Sequence, residues 1–333
     1  MRKIIHYVRD HVREDFNVGF YVFVVVFLAI AFFINFFISY SEHSRYVTFE
    51  DFYLNAHVRD PITLLKFLAF YGLPYYVTFF GYVIFYRKPH LLRSRAFWFR
   101  SLFVLGVLTL NSGFVFHRIW LDAHVPPQLS LLVGSVVANA GSTLFFFIPL
   151  LAFKLIFDRS QRGLYGMTRY NFTPWPYVAL VGLMLPLIVW ASFQPDFLMT
   201  YPTYRTSGMA EDYLGVQAWV TTTIYELFYI FDFAFVELLF RGFMVIGMAA
   251  VLGRGAVMPM VTTYAFLHFG KPFGEALGSI FGGYILGAIA YGGRNIWGGA
   301  IVHGGIALMM ELAAIVQFYI LNGIEIIRKA LNP

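Results

Sequence analysis

The sequence predicts an all-α fold, a polytopic transmembrane helix bundle with about eight or nine spans. Of the 333 residues, 59% are hydrophobic and only 13% are charged, and the mean hydropathy is +0.68. Soluble domains carry about 25% charged residues, so half that fraction argues against a water-soluble protein. The chain has no Cys, which excludes disulfides, thiol catalysis, zinc ribbons and iron–sulfur sites.

Apolar runs of about 20 residues predict the individual spans, because the hydrocarbon core is about 30 Å thick and a helix rises about 1.5 Å per residue. These runs lie at approximately 19–39, 67–86, 97–116, 129–156, 174–193, 213–232, 233–253, 256–270, 275–293 and 296–322. No Gly or Pro lies between Gly215 and Gly242. The two runs in 213–253 therefore predict either one long helix or an interfacial helix that continues into a span.

The residues before the first run, Met1 to Asn17, predict a short basic surface helix, since they include Arg2, Lys3, Arg9 and Arg13. The run itself is too long for a signal peptide, and residues Ser39 to Glu42 do not resemble a cleavage site. We therefore expect the first span to remain in the mature protein.

Positive charge is concentrated in two of the loops, which predicts the orientation. The 87–100 and 154–169 loops are rich in Arg and Lys, whereas the 117–128 and 194–212 loops hold one Arg each, Arg118 and Arg205. The positive-inside rule then places the N-terminus in the cytoplasm. We expect a multi-pass protein of the cell membrane, the inner membrane of a bacterium. The basic residues form no dense stripe, so no nucleic-acid partner is expected.

The predicted organisation has three parts. Residues 1–193 form an N-terminal transmembrane part of about five helices, and a polar loop at 194–212 follows it. Residues 213–322 form a C-terminal core, and residues 323–333 form a tail. The N-terminal part carries no recognisable chemistry.

Ionisable residues in the C-terminal spans are the candidate functional residues, because a charge inside a membrane costs a few kcal/mol. They are Glu226, Asp232, Glu237, Arg241, His268, His303 and Glu311. Glu237 precedes Arg241 by one helical turn, the favourable order for an ion pair. Glu226 lies within about 20° of the face of Glu237. A neutralising ion pair and two core histidines are the structural alternative to a reactive site.

Three segments in this region resemble motifs of a known family. They are Glu237-Leu-Leu-Phe-Arg241-Gly242, Tyr264-Ala-Phe-Leu-His268 and His303-Gly-Gly-Ile-Ala307. In this order they resemble the Glu-Glu-x-x-x-Arg, Phe-x-x-x-His and His-x-x-x-Asn motifs of the CPBP family. These are the CAAX-protease and bacteriocin-processing (Abi) membrane endopeptidases, and the resemblance covers about a third of the chain.

The resemblance implies peptide hydrolysis by an activated water inside the membrane. The first Glu and the first His, here His268, would activate the water. The second His, here His303, and the Asn would stabilise the oxyanion, while Glu237 and Arg241 would fix the helix. In this sequence Val236 stands at the first Glu and Ala307 at the Asn. Losing one oxyanion donor typically lowers the rate by about 10²–10³.

Two functions follow from these replacements. In the first, the chain is an active endopeptidase that depends on glutamate and histidine. Asp232, Glu226 or Glu311 would then supply, from a different position, the carboxylate that is missing at Val236. Alternatively, the chain is an inactive homologue that binds a membrane-protein or lipidated-peptide partner. A small-solute transporter or lipid-handling protein that uses the buried charges ranks last, because the sequence shows no inverted repeat or interrupted helix.

We expect no cofactor. Glu237, His268 and His303 are metal-ligand types, but the sequence offers no further residues to complete a shell. It also lacks the His-Glu-x-x-His pattern of zinc proteases. The remaining expected partner is the lipid bilayer.

Overall fold

The structure is a computed structural model that describes residues 1–38, 61–113, 120–121, 123–159, 163–169 and 172–331. Residues 39–42, the predicted span end at 114–116, Arg118, and residues 160–162 of the basic 154–169 loop lie outside these ranges.

The described residues are almost entirely helical, and none of them forms a β-strand. The α-helices in chain order are α1 (Arg2–Asp15), α2 (Val18–Phe33), α3 (Pro61–Phe85), α4 (Arg95–Gly113), α5 (Ser130–Phe157), α6 (Trp175–Ala191), α7 (Pro195–Thr200), α8 (Met209–Leu214), α9 (Ala218–Glu237), α10 (Ala249–Leu252), α11 (Val257–Leu267), α12 (Phe273–Gly293) and α13 (Trp297–Leu331). Two π-helices, Ile34–Ile38 and Leu238–Gly247, continue α2 and α9. Short 3₁₀ helices occupy Pro89–Arg93, Pro127–Leu129 and Gly253–Ala256.

The predicted class, an all-α polytopic membrane protein, is confirmed. Among the described residues, 7 helical stretches are long and apolar enough to cross a membrane, and Trp175–Ala191 is a shorter apolar helix. One stretch, Ala218–Leu267, is 50 residues long and contains both α9 and α11. Gly253 separates these two segments at a turn with a φ of +61°, a conformation that favours Gly.

The structure defines the helices in three of the predicted segments. The chain is continuously helical from Ala218 to Gly247, so the 213–253 region contains one long helix. The run predicted at 256–270 forms a helix only over Val257–Leu267. The predicted polar loop at 194–212 contains α7 and the start of α8.

The chain forms two compact units, each built from separate segments. Unit 1 comprises Met1–His117, Gly141–Phe172 and Phe235–Gly299. Unit 2 comprises Arg118–Ala140, Thr173–Ala234 and Ala300–Pro333.

An aromatic stripe on α3 forms much of the interior of unit 1. Phe67, Tyr71, Tyr75 and Phe79 follow one another at four-residue spacing and are fully buried. This spacing keeps the rings on one helical face. The ring of Phe79 stacks on that of Phe97 from α4, with 3.7 Å between centroids. Packing among α3, α4, α11 and α12 therefore supports the helices that carry the first two motifs.

Unit 2 is held together by smaller clusters and by hydrogen bonds between distant residues. Tyr204 and Tyr225 stack with 5.1 Å between ring centroids. On α13, the Gln317 side-chain amide donates to the Ser192 hydroxyl over 3.0 Å. The stacked rings join the segment after α6 to α9, and the hydrogen bond joins it to α13.

Candidate functional site

The Glu237–Arg241 ion pair is the centre of the motif region in unit 1. Glu237 ends α9 and is completely buried, and Arg241 lies one turn later and is 1% exposed. Arg241 Nη1 donates to Glu237 Oε1 over 2.7 Å. The predicted ion pair is therefore present, and the carboxylate provides a buried counter-charge for the guanidinium.

Arg241 sits inside a π-helix, and a loop of unit 1 packs closely against this segment. A Cβ atom on Gly242 would lie 2.9 Å from the Tyr165 carbonyl oxygen, so only Gly fits there. The Tyr165 hydroxyl donates to Asp158 Oδ2 over 2.7 Å, and Arg100 forms an ion pair with Asp158. Wide turns of this kind are frequent at functional sites.

Charge stabilises the loop that carries Tyr165. Burial raises the pKa of Asp158, but hydrogen bonds from Arg100 and Tyr165 outweigh burial and hold this pKa below its usual value. Burial, together with the bond to Asp158, raises the pKa of the Tyr165 hydroxyl. Asp158 is therefore ionised and Tyr165 neutral at neutral pH. These protonation states preserve the hydrogen bond that holds Tyr165, whose backbone lies against Gly242.

Tyr264 links the ion pair to His268. The Arg241 guanidinium carbon lies 4.3 Å from the Tyr264 ring centroid, within cation–π range. The Tyr264 ring also packs against the imidazole of His268, with 4.4 Å between centroids. The tyrosine at the Phe position of the family motif thus contacts both neighbouring motif residues.

The His268 tautomer is set by its contact with the backbone. His268 Nδ1 lies 2.8 Å from the Tyr264 carbonyl oxygen at the end of α11. A carbonyl oxygen only accepts, so Nδ1 carries the hydrogen, and in the neutral ring Nε2 is the basic nitrogen. This arrangement suits either a proton acceptor or a fixed hydrogen-bonding group.

Gly299 lies directly against the Glu237 carboxylate at the start of α13. A Cβ atom at this position would overlap Glu237 Oε2. The close approach explains why position 299 carries a glycine.

His303 belongs to unit 2, whereas Glu237, Arg241 and His268 belong to unit 1. The His303 imidazole packs against Phe233 from α9, with 4.3 Å between ring centroids. Ala307 follows His303 by one turn of α13 and is buried.

The three candidate compensating carboxylates all lie in unit 2, and they differ in their surroundings. Glu311 is fully buried and accepts hydrogen bonds from the backbone N–H of Thr203, at 3.0 and 3.1 Å, and from its hydroxyl, at 2.5 Å. Both oxygens of Glu226 are buried and accept no hydrogen bond from a described residue. Asp232 is partly buried on α9.

Thr203 was missed by the sequence analysis, as were the contacts of Tyr264 and Gly299 with the ion pair. Thr203 and Glu311 are 108 positions apart, so no local spacing reveals their contact. Within the described ranges, no group of three or more His, Asp or Glu side chains is arranged to hold a metal ion.

No protein-family model, curated protein or solved structure matches this chain. The fold and composition define an all-α membrane protein. Membership of the CPBP family stays a prediction that rests on the three motifs.

Proposed function

We propose that this protein is a CPBP-type homologue whose membrane core binds a transmembrane or lipidated peptide without hydrolysing it. The observation that carries the proposal is the state of Glu237. This carboxylate holds Arg241 in a buried ion pair and lies against Gly299, so it fixes the helix and does not replace the missing first Glu as a base. Val236 occupies the preceding position, where the family motif has its first Glu.

A partner-binding role is tested by site-specific crosslinking in the full chain. A photoreactive residue at Val236 should form a discrete adduct with one peptide or membrane protein. The same residue at Leu227, an exposed position on α9, is the matched control and should form lipid adducts only. Identical adduct patterns at the two positions would contradict a specific binding site.

Hydrolysis is tested on the same purified protein with prenylated and transmembrane peptide reporters. We expect no cleavage by the natural chain and no change on His268→Ala. Cleavage that His268→Ala abolishes would overturn the binding proposal in favour of an enzyme.

The second candidate function is an active endopeptidase with a relocated base. It is favoured by Glu226, whose buried carboxyl oxygens accept no hydrogen bond from the described residues. In that case Glu226→Gln should lower cleavage by about 10²–10⁴-fold, the usual contribution of a general base. Asp232→Asn is the matched control on the same helix and should leave cleavage unchanged.

We also propose that the N-terminus faces the cytoplasm in a bacterial cell membrane. The basic 87–100 and 154–169 loops support this orientation through the positive-inside rule. Because the natural chain has no Cys, single cysteines at Arg93 and Arg205 report sidedness without background. An impermeant thiol reagent added outside the cell should label the Arg205 position and leave the Arg93 position unlabelled.

A further inference from the structure

The N-terminal helix α1 is anchored to the rest of unit 1 through its inner face. Ile4, His11 and Asp15 are buried, and α1 packs along α12. The Tyr7 ring occupies the space where Gly292 of α12 would otherwise carry a side chain. These contacts leave the opposite face of α1 directed away from unit 1.

The acidic side chains of α1 are each close to a basic group. Each acidic side chain has a cationic or imidazole neighbour: Asp10 pairs with His6 at 2.9 Å, Glu14 pairs with Arg254, and Asp15 faces His11 at 3.9 Å.

The arginines of α1 point outward with weak or no partners. Arg2 and Arg13 are exposed and form no ion pair with any residue that the structure describes. Arg9 is 63% exposed, and among the described residues it reaches only His6, at 3.3 Å, and Asp10, at 3.8 Å. Such exposed contacts contribute little energy, so the three arginines present an uncompensated positive surface.

Apolar side chains flank these arginines on the same exposed face. Ile5, Val12 and Phe16 are exposed. At about 100° per residue, Ile5 and Val12 lie within roughly 20° of one another around α1 and beside Arg9. Phe16 directly follows Asp15, the last residue of the helix. Large apolar groups next to a row of cations are typical of a helix that lies in the membrane interface.

The chain connection brings the end of α1 next to the start of the first candidate span. Asn17 alone separates Phe16 from the first span, and its side chain accepts the Phe20 N–H to begin α2. The Val18 and Val22 side chains of this span are exposed, as expected for contact with lipid. A single residue, Asn17, therefore lies between Phe16 and Val18, where the first candidate span begins.

We propose that the outward face of α1 binds anionic phospholipid headgroups of the bilayer. Arg2, Arg9 and Arg13 contact the lipid phosphates, while Ile5, Val12 and Phe16 enter the boundary with the acyl chains. The attraction of a cation to an anionic membrane surface is about 1 kcal/mol for each Arg, equivalent to a fivefold lipid preference.

Lipid contact at α1 is measured with the full chain carrying Val12→Cys, which is the sole cysteine. A fluorophore on this cysteine is read in vesicles of phosphatidylcholine and phosphatidylglycerol at fixed proportions. Bromine atoms, which quench the fluorophore, are placed on the acyl chains of one lipid or of the other. We expect stronger quenching by brominated phosphatidylglycerol than its share of the lipid predicts, and a decrease of this preference at high salt.

Charge variants separate a site on α1 from a general effect of net charge. Arg9→Gln with Arg13→Gln should reduce the phosphatidylglycerol preference by roughly fivefold for each arginine removed. Arg93→Gln with Arg95→Gln removes the same charge from exposed positions outside α1 and should leave the preference intact. Random mixing of the two lipids around the Val12→Cys label, or an equal loss in both double variants, would overturn the proposal.

Discussion

Two buried acid–base pairs in unit 1 have the same spacing and opposite character. Glu237 and Arg241 are four residues apart and hydrogen-bonded at 2.7 Å. His11 and Asp15 are also four residues apart and buried, but His11 Nε2 and Asp15 Oδ2 are 3.9 Å apart. Neither ring nitrogen of His11 nor Oδ2 of Asp15 has a hydrogen-bond partner among the described residues.

The two pairs differ in whether a change of protonation can make their side chains neutral. A guanidinium remains protonated at any physiological pH, so a buried Arg241 requires a carboxylate beside it. Burial and the positive charge of Arg254 lower the pKa of His11 to about 4. Burial raises the pKa of Asp15 to about 6, against the opposing effect of Lys88 and Arg254. The second pair can therefore become neutral, and it tolerates a longer separation.

The largest expected effect follows from removing one member of the bonded pair. Glu237→Gln leaves the Arg241 cation buried without its carboxylate and should lower the free energy of unfolding by about 3–5 kcal/mol. The measurement is denaturation of the full chain in mixed detergent micelles. The matched control is Glu14→Gln, which removes the exposed partner of Arg254 and should cost less than about 1 kcal/mol.

A double variant distinguishes loss of the pair from loss of packing. Glu237→Gln with Arg241→Met removes the uncompensated charge and should recover most of the stability. Equal destabilisation in the single and double variants would show that the Arg241 charge is not the cause.

A smaller effect is expected from disturbing the carboxylate without removing it. Gly299→Ala places a methyl group where Glu237 Oε2 lies, so the carboxylate must shift. Overpacking of this kind typically costs about 1–3 kcal/mol. Gly282→Ala on α12 is the matched control, because its added methyl group meets no atom of the described residues within 4 Å. It should be neutral or stabilise by up to about 1 kcal/mol through helix propensity. Similar unfolding curves for the two variants would contradict the close approach at Gly299.

The sequence predicts those features that depend on local spacing. Long apolar runs predict the all-α membrane class, and the four-residue interval predicts the Glu237–Arg241 pair. The contact of Gly299 with Glu237 and that of Thr203 with Glu311 depend on how distant helices pack, which hydropathy and periodicity do not encode. The π-helix over Leu238–Gly247 also has no local sequence signal that we can name.

The N-terminal helix shows how a correct local prediction misses a buried feature. Its four basic residues predict a surface helix, and α1 is a helix with an exposed basic face. His11 and Asp15 have the same spacing as the predicted ion pair, but they lie in a segment that its charge assigns to the surface. Their burial results from packing of α1 against α12.

The smallest expected effect concerns the pH dependence of α1 docking in the natural chain. When α1 undocks from the rest of unit 1, His11 regains its ordinary pKa of 6.5. The pKa change of His11, taken alone, therefore weakens the docking of α1 as pH falls from about 6.5 to 4. In the undocked helix Asp15 has a pKa of 3.8. The pKa change of Asp15, taken alone, therefore strengthens the docking of α1 as pH falls from about 6 to 3.8. The two effects oppose each other, because docking favours loss of a proton from His11 and gain of one by Asp15. Amide hydrogen exchange of residues 2–15, corrected for the intrinsic rate, should show little net change across this range.

Single variants should reveal the two opposing contributions with opposite signs. Burial is the main cause of both pKa shifts; Arg254 adds to the shift of His11, whereas Lys88 and Arg254 oppose that of Asp15. Neither shift arises from the other member of the pair, so each should persist when that member is replaced. In Asp15→Asn, protection of α1 should fall as pH decreases from about 6.5 to 4, since only the docking penalty of protonated His11 remains. In His11→Gln, protection should rise as pH decreases through about 6, since only the gain from protonated Asp15 remains. The same pH trend in both variants would mean that these two side chains do not control docking.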